Sequence, residues 1–235
     1  MKTLAVIALK GGSGKTTVAA HLAIAAHLRG LDTLVVDADR QRSIQNILST
    51  RTSPGPEIIW SKGAKLTAAK LAALGLQKQL TIIDTQAGAV EDVTNAILLC
   101  DLAILVVRPT LLDLSGLAPA LAMVQRLGKP AIVVINQAPV AREKVESPLV
   151  KRAQRALHYM RADVAPVIVR LRTVYQTALE VGRSAEEMSD QAAVKEIAAL
   201  WKIIEDELST LPETTTEPAK LPAFSRWRRW GCRSS

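Results

Sequence analysis

The chain of 235 residues contains few cysteines and no long apolar segment. Its two cysteines, Cys100 and Cys232, are too few for a disulfide framework, a four-cysteine metal site or an iron–sulfur cluster held by one chain. No apolar run approaches the roughly 18 residues that span a bilayer, and residues 1–9 lack the cationic start and the cleavage site of a signal peptide. These absences predict a soluble protein of the cytoplasm.

Histidine is also scarce. His21, His27 and His158 fall in segments with a helical pattern and have no metal-ligand partners, so we assign them no function. The net charge of +8 favours anionic partners such as nucleic acid or acidic lipid, although charge alone does not choose between them.

Short β-branched segments alternate with longer helical patterns, which is typical of a parallel sheet covered by helices on both faces. We therefore predict an α/β fold with a mostly parallel sheet, and the 49% hydrophobic content suits one large domain over residues 1–210. The predicted strands are 3–9, 33–37, 80–84, 102–107, 131–136 and 166–170. The predicted helices are 16–29, 64–74, 90–99, 114–127, 146–161 and 190–208.

Residues 211–235 differ in character from this domain. They contain three prolines, a threonine run and a cluster of arginines, without a sustained hydrophobic period. Such a composition predicts a flexible basic C-terminal tail.

The segment "LKGGSGKTT" (9–17) has the features of a phosphate-binding loop between a strand and a helix. Glycines allow the backbone N–H groups to turn inward, and the positive end of the following helix favours phosphate oxygens. We expect Lys15 to reach the β- and γ-phosphates, Thr16 to place its hydroxyl on Mg²⁺, and Thr17 to add a hydrogen bond. The predicted nucleotide-binding residues of the loop are Gly11, Gly12, Ser13, Gly14, Lys15, Thr16 and Thr17.

Leu9 stands where the general motif requires its first glycine, and a second lysine, Lys10, follows it. Carboxylates stand at two predicted strand ends: Asp37 and Asp39 in "VVDAD", and Asp84 in "IIDTQ". Ligands of open α/β sheets bind at this edge, where carboxylates can hold a metal and an attacking water. These residues together predict Mg²⁺-dependent hydrolysis of a nucleoside triphosphate.

The segment "KGGSGKTT" (10–17) resembles the K-G-G-x-G-K-[ST]-[ST] loop of the deviant Walker A ATPases, the ParA and MinD superfamily. The resemblance extends over roughly residues 1–208. It implies a P-loop ATPase fold, ATP and Mg²⁺ as cofactors, and an ATP-sandwich homodimer in which Lys10 crosses to the partner's nucleotide. Such a lysine parallels an arginine finger, because it delivers a cation to phosphate charge in trans.

Three further segments are similar to motifs of this superfamily. "VVDADRQRS" resembles its D-x-D-P-Q segment, which implies that Asp39 positions or activates the water and that Asp37 lies near the metal. "IIDTQAG" resembles D-T-P-P-G, which implies that Asp84 lies near Mg²⁺. "VVINQAP" places Asn136 where relatives recognise adenine through a side-chain amide, a group that both donates and accepts.

Two residues depart from the family pattern near the γ-phosphate region. Arg40 and Gln86 each replace a proline. Both substitutions bear on the hydrolysis rate and the dimer geometry, whereas every expected carboxylate is retained.

The branch of the superfamily depends on the C-terminal part of the domain. Nitrogenase-type iron proteins need a cysteine pair for a shared cluster, whereas the body of this domain contains only Cys100. "PVIVRLRTVYQTALEVGRS" (166–184) resembles the ParA segment that binds DNA nonspecifically, which makes Arg170 and Arg172 candidate DNA contacts. Lys151, Arg152 and Arg155 could extend that face, and the alternative is that these residues are simply solvated.

A short ParA-type protein is therefore expected, without an N-terminal operator-binding domain. The resemblance implies a nucleoid-associated ATPase that partitions plasmids, chromosomes or other cargo with a ParB-like partner. The segment "FSRWRRWGCRSS" (224–235) keeps a MinD-like alternative open, since tryptophans and arginines suit an anionic membrane surface. The same residues could bind nucleic acid or have no specific role. A nucleotide-binding scaffold without hydrolysis is the alternative of another class.

Overall fold

Six parallel strands form one sheet in the computed structural model, which describes residues 1–61, 63, 65–141, 143 and 145–212. The strand order is β3-β2-β4-β1-β5-β6. Every carboxyl end therefore lies at the same edge of the sheet. The strands are β1 (Lys2–Ile7), β2 (Thr33–Asp37), β3 (Glu57–Trp60), β4 (Leu80–Asp84), β5 (Leu102–Val107) and β6 (Ala131–Ile135).

Helices cover both faces of the sheet. Within the described ranges they are α1 (Lys15–Leu28), α2 (Ser43–Ser49), α3 (Lys65–Gly75), α4 (Val90–Leu99), α5 (Leu111–Arg126), α6 (Pro148–Tyr159), α7 (Val174–Glu180) and α8 (Gln191–Thr210). Buried residues of α1, α2, α7 and α8 pack on one face, and those of α3, α4, α5 and α6 pack on the other. The two packed faces confirm the predicted α/β architecture.

Side chains alternate between these two cores along each strand. In β1, Leu4 and Val6 belong to the core of α1 and α8, while Ala5 and Ile7 belong to the opposite core. All four are fully buried. Because both faces are covered, apolar residues occur at consecutive positions of the strands, as at residues 4–7 of β1, rather than only at alternate ones.

The sixth predicted strand is wrong. Residues 166–170 contribute only an isolated bridge between Ala138 and Arg170, and the neighbouring bridge pairs Val133 with Val164. Pro166 has no N–H to donate, and the chain then turns into α7, so no continuous ladder forms. The sixth strand of the sheet is instead β3, a four-residue edge strand whose short pattern after Pro54 and Pro56 gave little signal.

The C-terminal helix α8 ends at Thr210, where the sequence predicts the end of the domain. Lys2 donates from Nζ to the carbonyl of Leu211 at 2.7 Å. The predicted tail lies, from residue 213 on, outside the described residues. Among the helices in the described ranges, none combines the length and the apolar character needed to cross a membrane.

Candidate active site

The loop between β1 and α1 forms one wall of a cleft at the carboxyl edge of the sheet. Gly12 and Gly14 both have left-handed backbone, with φ of 78° and 83°, a conformation that glycine adopts without steric cost. Gly14 is the N-cap of α1, and its carbonyl accepts the first helical hydrogen bond from Val18 at 2.9 Å. The cleft measures about 370 Å³ and is lined by residues 10–17 together with Asp39, Gln41, Ser43, Gln86 and Ala87.

Lys15, which lines this cleft, forms a buried ion pair with Asp84. The Lys15 Nζ donates to Asp84 Oδ1 at 2.8 Å, and the two side chains are 6% and 0% exposed. Burial raises the pKa of Asp84, although Lys15 and Thr16 pull it in the other direction. A triphosphate entering the cleft would compete with Asp84 for the ammonium group, because phosphate oxygens are strong acceptors for lysine.

The second carboxylate oxygen of Asp84 fits a bound cation. Asp84 Oδ2 is buried and has no hydrogen-bond partner within the described residues. The Thr16 side chain is close enough to the same carboxyl to lower its pKa. In the described part of the chain no three His, Cys, Asp or Glu side chains cluster tightly enough to hold a metal alone. This arrangement suits Mg²⁺, which usually takes one or two protein oxygens and completes its shell with phosphate and water.

Asp37 organises the loop that follows β2. Its Oδ1 accepts the backbone N–H of Asp39 at 3.0 Å, and its Oδ2 accepts that of Gln45 at 3.1 Å. Asp37 is fully buried and sits opposite Asp84 in the register of β2 and β4. Burial raises the pKa of the Asp37 carboxyl, and the two backbone hydrogen bonds oppose that change. Both oxygens of Asp37 thus hold this loop, and its expected place near the metal stays a prediction.

Asp39 lines the cleft at the end of that loop. Its Oδ1 accepts the N–H of Gln41 at 2.9 Å, and its backbone carbonyl accepts the indole N–H of Trp60 at 3.2 Å. The Arg42 guanidinium lies 4.9 Å from the centre of the Trp60 ring. Sequence reasoning missed Trp60 because it missed β3, the strand that carries it. A tryptophan at the end of a short strand is the sequence signal that could have identified this residue.

Lys10 lies at the rim of the cleft, with 41% of its side chain exposed. Its Nζ is 3.5 Å from Oδ1 of Asp113, a buried residue in the first turn of α5. Arg108 donates twice to the same carboxylate, at 3.0 and 3.1 Å, and the Thr110 hydroxyl donates to it as well. Burial would raise the pKa of Asp113, but the hydrogen bonds from Arg108 and Thr110 outweigh it and lower the pKa.

Asn136 lies on the far side of the loop, directly after β6. Its side-chain amide donates to the carbonyl of Ser13 at 2.8 Å, and the amide of Gln137 donates to the carbonyl of Gly12 at 3.2 Å. Asn136 is 4% exposed. The structure thus brings Asn136 to the nucleotide loop, and it adds Gln137, which sequence reasoning missed.

The sequence of residues 4–192 matches the family model described as the CobQ/CobB/MinD/ParA nucleotide-binding domain. The chain belongs to this family. The match includes the phosphate loop and all three strand-ending aspartates, and it confirms the resemblance to the ParA and MinD superfamily.

Solved structures share the fold. Apo McdA from Cyanothece has a TM-score of 0.74 at 19% identity, with 87% of this chain and 99% of McdA covered. MinD from Pyrococcus horikoshii, complexed with Mg-ADP, has a TM-score of 0.68 at 18% identity, with 89% and 97% covered. A Borrelia burgdorferi protein assigned to plasmid partition, bound to AMPPNP, has a TM-score of 0.65 at 15% identity, with 88% and 99% covered. No curated protein matches the chain by sequence.

The candidate DNA contacts of this CobQ/CobB/MinD/ParA domain, Arg170 and Arg172, do not line the cleft. Arg170 is paired with Glu146 through hydrogen bonds of 2.8 and 2.6 Å, and Arg172 is paired with Glu196 at 2.8 Å. Their side chains are only 15% and 20% exposed, so much of their charge is already neutralised within the protein. Three exposed basic residues on α6 form no such ion pair with a carboxylate among the described residues. They are Lys151, Arg152 and Arg155.

Of the two departures from the family motifs, Gln86 lines the nucleotide cleft beside Ala87, whereas Arg40 is exposed in the loop that carries Asp39.

Proposed function

We propose that this protein is a Mg²⁺-dependent ATPase of the ParA type, which hydrolyses ATP to ADP and phosphate. The observation that carries the proposal is the meeting of Lys15, Thr16 and Asp84 at the start of α1, with one buried oxygen of Asp84 unpaired. An unpaired buried carboxylate oxygen is costly, and a divalent cation would satisfy it. The nucleotides bound to the MinD and Borrelia relatives support the same choice of ligand.

Each residue has its own part in this mechanism. The N–H groups of the loop bind phosphate oxygens, and Lys15 exchanges Asp84 for the β- and γ-phosphates. Thr16 and Asp84 would hold Mg²⁺, which would neutralise charge on the phosphates. Asp37 fixes the loop, and Asp39 at its tip positions or activates the attacking water.

The ATP-bound form would be a homodimer in which Lys10 reaches the nucleotide of the second copy. Lys10 suits this task because it stands at the cleft rim with 41% of its side chain exposed. Its pairing with Asp113 is long and partly solvated, and such pairs contribute at most about 1 kcal/mol. Lys10 can therefore leave Asp113 at little cost when a partner's phosphates are within reach.

Two measurements test the ATPase and the dimer separately. Phosphate release with ATP and Mg²⁺ should stop on chelation of the metal, and Lys15→Ala should abolish it. Light scattering should report a doubled mass with ATP for the wild type but not for Lys10→Ala. ATP binding without any phosphate release would favour the non-hydrolysing scaffold, and an unchanged mass with ATP would contradict the sandwich dimer.

The ATP dimer would bind double-stranded DNA without sequence preference and act on the nucleoid with a ParB-like or other adaptor partner. Support comes from the net charge of +8 and from the exposed basic residues of α6. Dimerisation doubles the number of phosphate contacts, each of which adds about 0.9 to the slope of log affinity against log salt. Arg170 and Arg172 stay candidate contacts, but their ion pairs make them weaker candidates than α6.

A matched pair of double variants tests the DNA surface. Arg152→Ala/Arg155→Ala should weaken binding to unrelated DNA sequences alike and flatten the salt dependence. Lys65→Ala/Arg126→Ala removes the same charge from exposed positions on α3 and α5 and should have little effect. Equal effects of the two pairs would contradict an α6 surface. Pelleting with anionic vesicles instead of DNA would support the MinD-like membrane alternative.

A further inference from the structure

Two side-chain amides from the end of β6 reach across to the phosphate loop. The Asn136 Nδ2 donates to the carbonyl of Ser13 at 2.8 Å, and the Gln137 Nε2 donates to the carbonyl of Gly12 at 3.2 Å. A backbone carbonyl only accepts, so the NH₂ end of each amide must face the loop. The two bonds therefore hold consecutive carbonyl groups of the loop, and neither Asn136 nor Gln137 is among the residues that line the cleft.

The orientation of these carbonyls matters for anion binding. A phosphate cradle needs N–H groups turned toward the ligand, whereas a carbonyl oxygen turned the same way would repel phosphate. Gly12 and Gly14 have no Cβ, so their backbone can adopt several conformations besides the left-handed one observed, and the orientation of the intervening peptide groups is not fixed by the loop alone. The amides of Asn136 and Gln137, which lie outside the loop, fix this orientation through their hydrogen bonds to the loop carbonyls.

Loop and amides are packed closely together. A Cβ placed on Gly14 would lie 2.2 Å from Asn136 Nδ2 and 2.9 Å from Gln137 Nε2. Both distances are far below van der Waals contact, so the glycine at position 14 is needed for the amides to approach as well as for its positive φ. Ser13, whose carbonyl Asn136 holds, is itself buried, with 2% exposure.

Base recognition fits the position of Asn136 less well. With 4% exposure and one amide hydrogen already bonded to Ser13, its side chain offers little surface to an adenine ring. We propose that Asn136 and Gln137 are positioning residues that hold the phosphate loop in its anion-binding conformation, so that their contribution to affinity does not depend on the base. The inference rests on the proposed nucleotide function and deepens it.

The test compares three ligands that share a triphosphate and differ in the base: ATP, GTP and inorganic tripolyphosphate, each with Mg²⁺. Asn136→Ala removes one donor, and Gln137→Met removes the other with nearly the same shape. Each variant should weaken all three ligands by the same factor, about 2- to 10-fold for one hydrogen bond, with the larger effect at the buried Asn136. Isothermal titration calorimetry measures these affinities.

Controls distinguish loss of the proposed positioning effect from misfolding of a variant and from failure of the proposed nucleotide function. Gln125→Met changes an exposed amide on α5 and should leave all three affinities unaltered. The thermal unfolding midpoints of the nucleotide-free variants give their folding state, and Gln137→Met tests the idea at a half-exposed position even if Asn136→Ala unfolds. If Asn136→Ala weakens ATP alone and leaves tripolyphosphate unchanged, Asn136 reads the base and the inference is overturned. A wild type that binds none of the three ligands would overturn the nucleotide function and the inference with it.

Discussion

At the scale of single residues, the burial of His21 makes the stability of the fold depend on pH. The ring lies on α1 without exposed surface, and its Nε2 is 3.2 Å from the carbonyl of Tyr175. Its Nδ1 accepts the backbone N–H of Ala185 at 3.2 Å, so the proton of the neutral ring belongs on Nε2. Burial lowers the pKa of His21 to about 4, although the hydrogen bond to Tyr175 opposes the change. The imidazole is therefore neutral in the folded protein at neutral pH.

Acid should destabilise the protein through His21. The unfolded residue has a pKa near 6.5, so as pH falls from 6.5 toward about 4 only the unfolded state takes up the proton. The free energy of unfolding should fall over that window by on the order of 3 kcal/mol, and His21 should contribute no pH dependence above it. Urea unfolding across the window measures this slope. His21→Gln should flatten it, whereas His27→Gln on the same helix should not, and equal slopes in both variants would contradict the prediction.

The carboxylate of Asp113 forms ion pairs of unequal strength with Arg108 and Lys10. Arg108 makes a bidentate pair with it, while Lys10 stands 3.5 Å away and is partly solvated. Lys10→Ala should therefore change the free energy of unfolding by less than about 1 kcal/mol. Arg108→Ala leaves the buried carboxylate with its weaker partner and should cost roughly 2 kcal/mol or more. Urea denaturation of the two variants without nucleotide makes the comparison, and a larger loss for Lys10→Ala would refute this assignment.

At the scale of elements, the edge strand β3 supports the loop that carries Asp39. Trp60 ends this strand and donates its indole N–H to the Asp39 carbonyl, while Arg42 covers the ring. Asp37 holds the same loop from the neighbouring strand β2. The proposed water-positioning residue is thus fixed from two strands at once.

Loss of the indole hydrogen bond should slow hydrolysis more than it weakens binding. Trp60→Phe keeps a ring under Arg42 but removes the donor, a change worth about 1 kcal/mol or roughly a 5-fold fall in kcat. ATP affinity should stay nearly constant because Trp60 does not line the cleft. Steady-state phosphate release gives kcat, and calorimetry gives the affinity. An equal loss in both quantities would indicate a general disturbance of the loop rather than a positioning effect on Asp39.

At the scale of the whole molecule, two apolar cores enclose the sheet, and the residues that form them lie within 1–211. Lys2 fastens the end of α8 by donating to the carbonyls of Leu211 and Pro212 at 2.7 and 2.9 Å. A chain that ends at Pro212 retains all of these contacts. Such a chain should therefore unfold cooperatively with the same thermal midpoint as the full chain.

Thermal unfolding of both chains tests this expectation, and a clearly lower midpoint for the shorter chain would show that residues 213–235 stabilise the domain. The same two chains then locate any binding function of the arginine- and tryptophan-rich segment. DNA binding and vesicle pelleting that are equal in both would remove that segment from either function.

The phosphate loop and the three strand-ending aspartates were predictable because each depends on near neighbours in the chain. A strand followed by glycines and a helix brings Lys15 and Thr16 to the sheet edge whatever the rest of the fold does. Strand β3 was missed for the opposite reason: its four residues, at the edge and half exposed, leave too short a pattern. The predicted strand at 166–170 had the right composition, but its pairing with β6 is limited to isolated bridges.

The sequence by itself determined five of the six strands that the described residues form, the loop at residues 10–17 and the family, because these features follow from patterns along the chain. Only the tertiary structure decided which charges are already paired. Arg170 meets Glu146, and Arg172 meets Glu196, in each case 24 residues away along the chain. Asn136 meets Ser13 across 123 residues because β6 is separated from β1 by β5 alone and ends at the same edge of the sheet as the loop after β1. Periodicity reports which face of an element is buried, whereas the partner of a polar side chain depends on which elements the folded sheet places side by side.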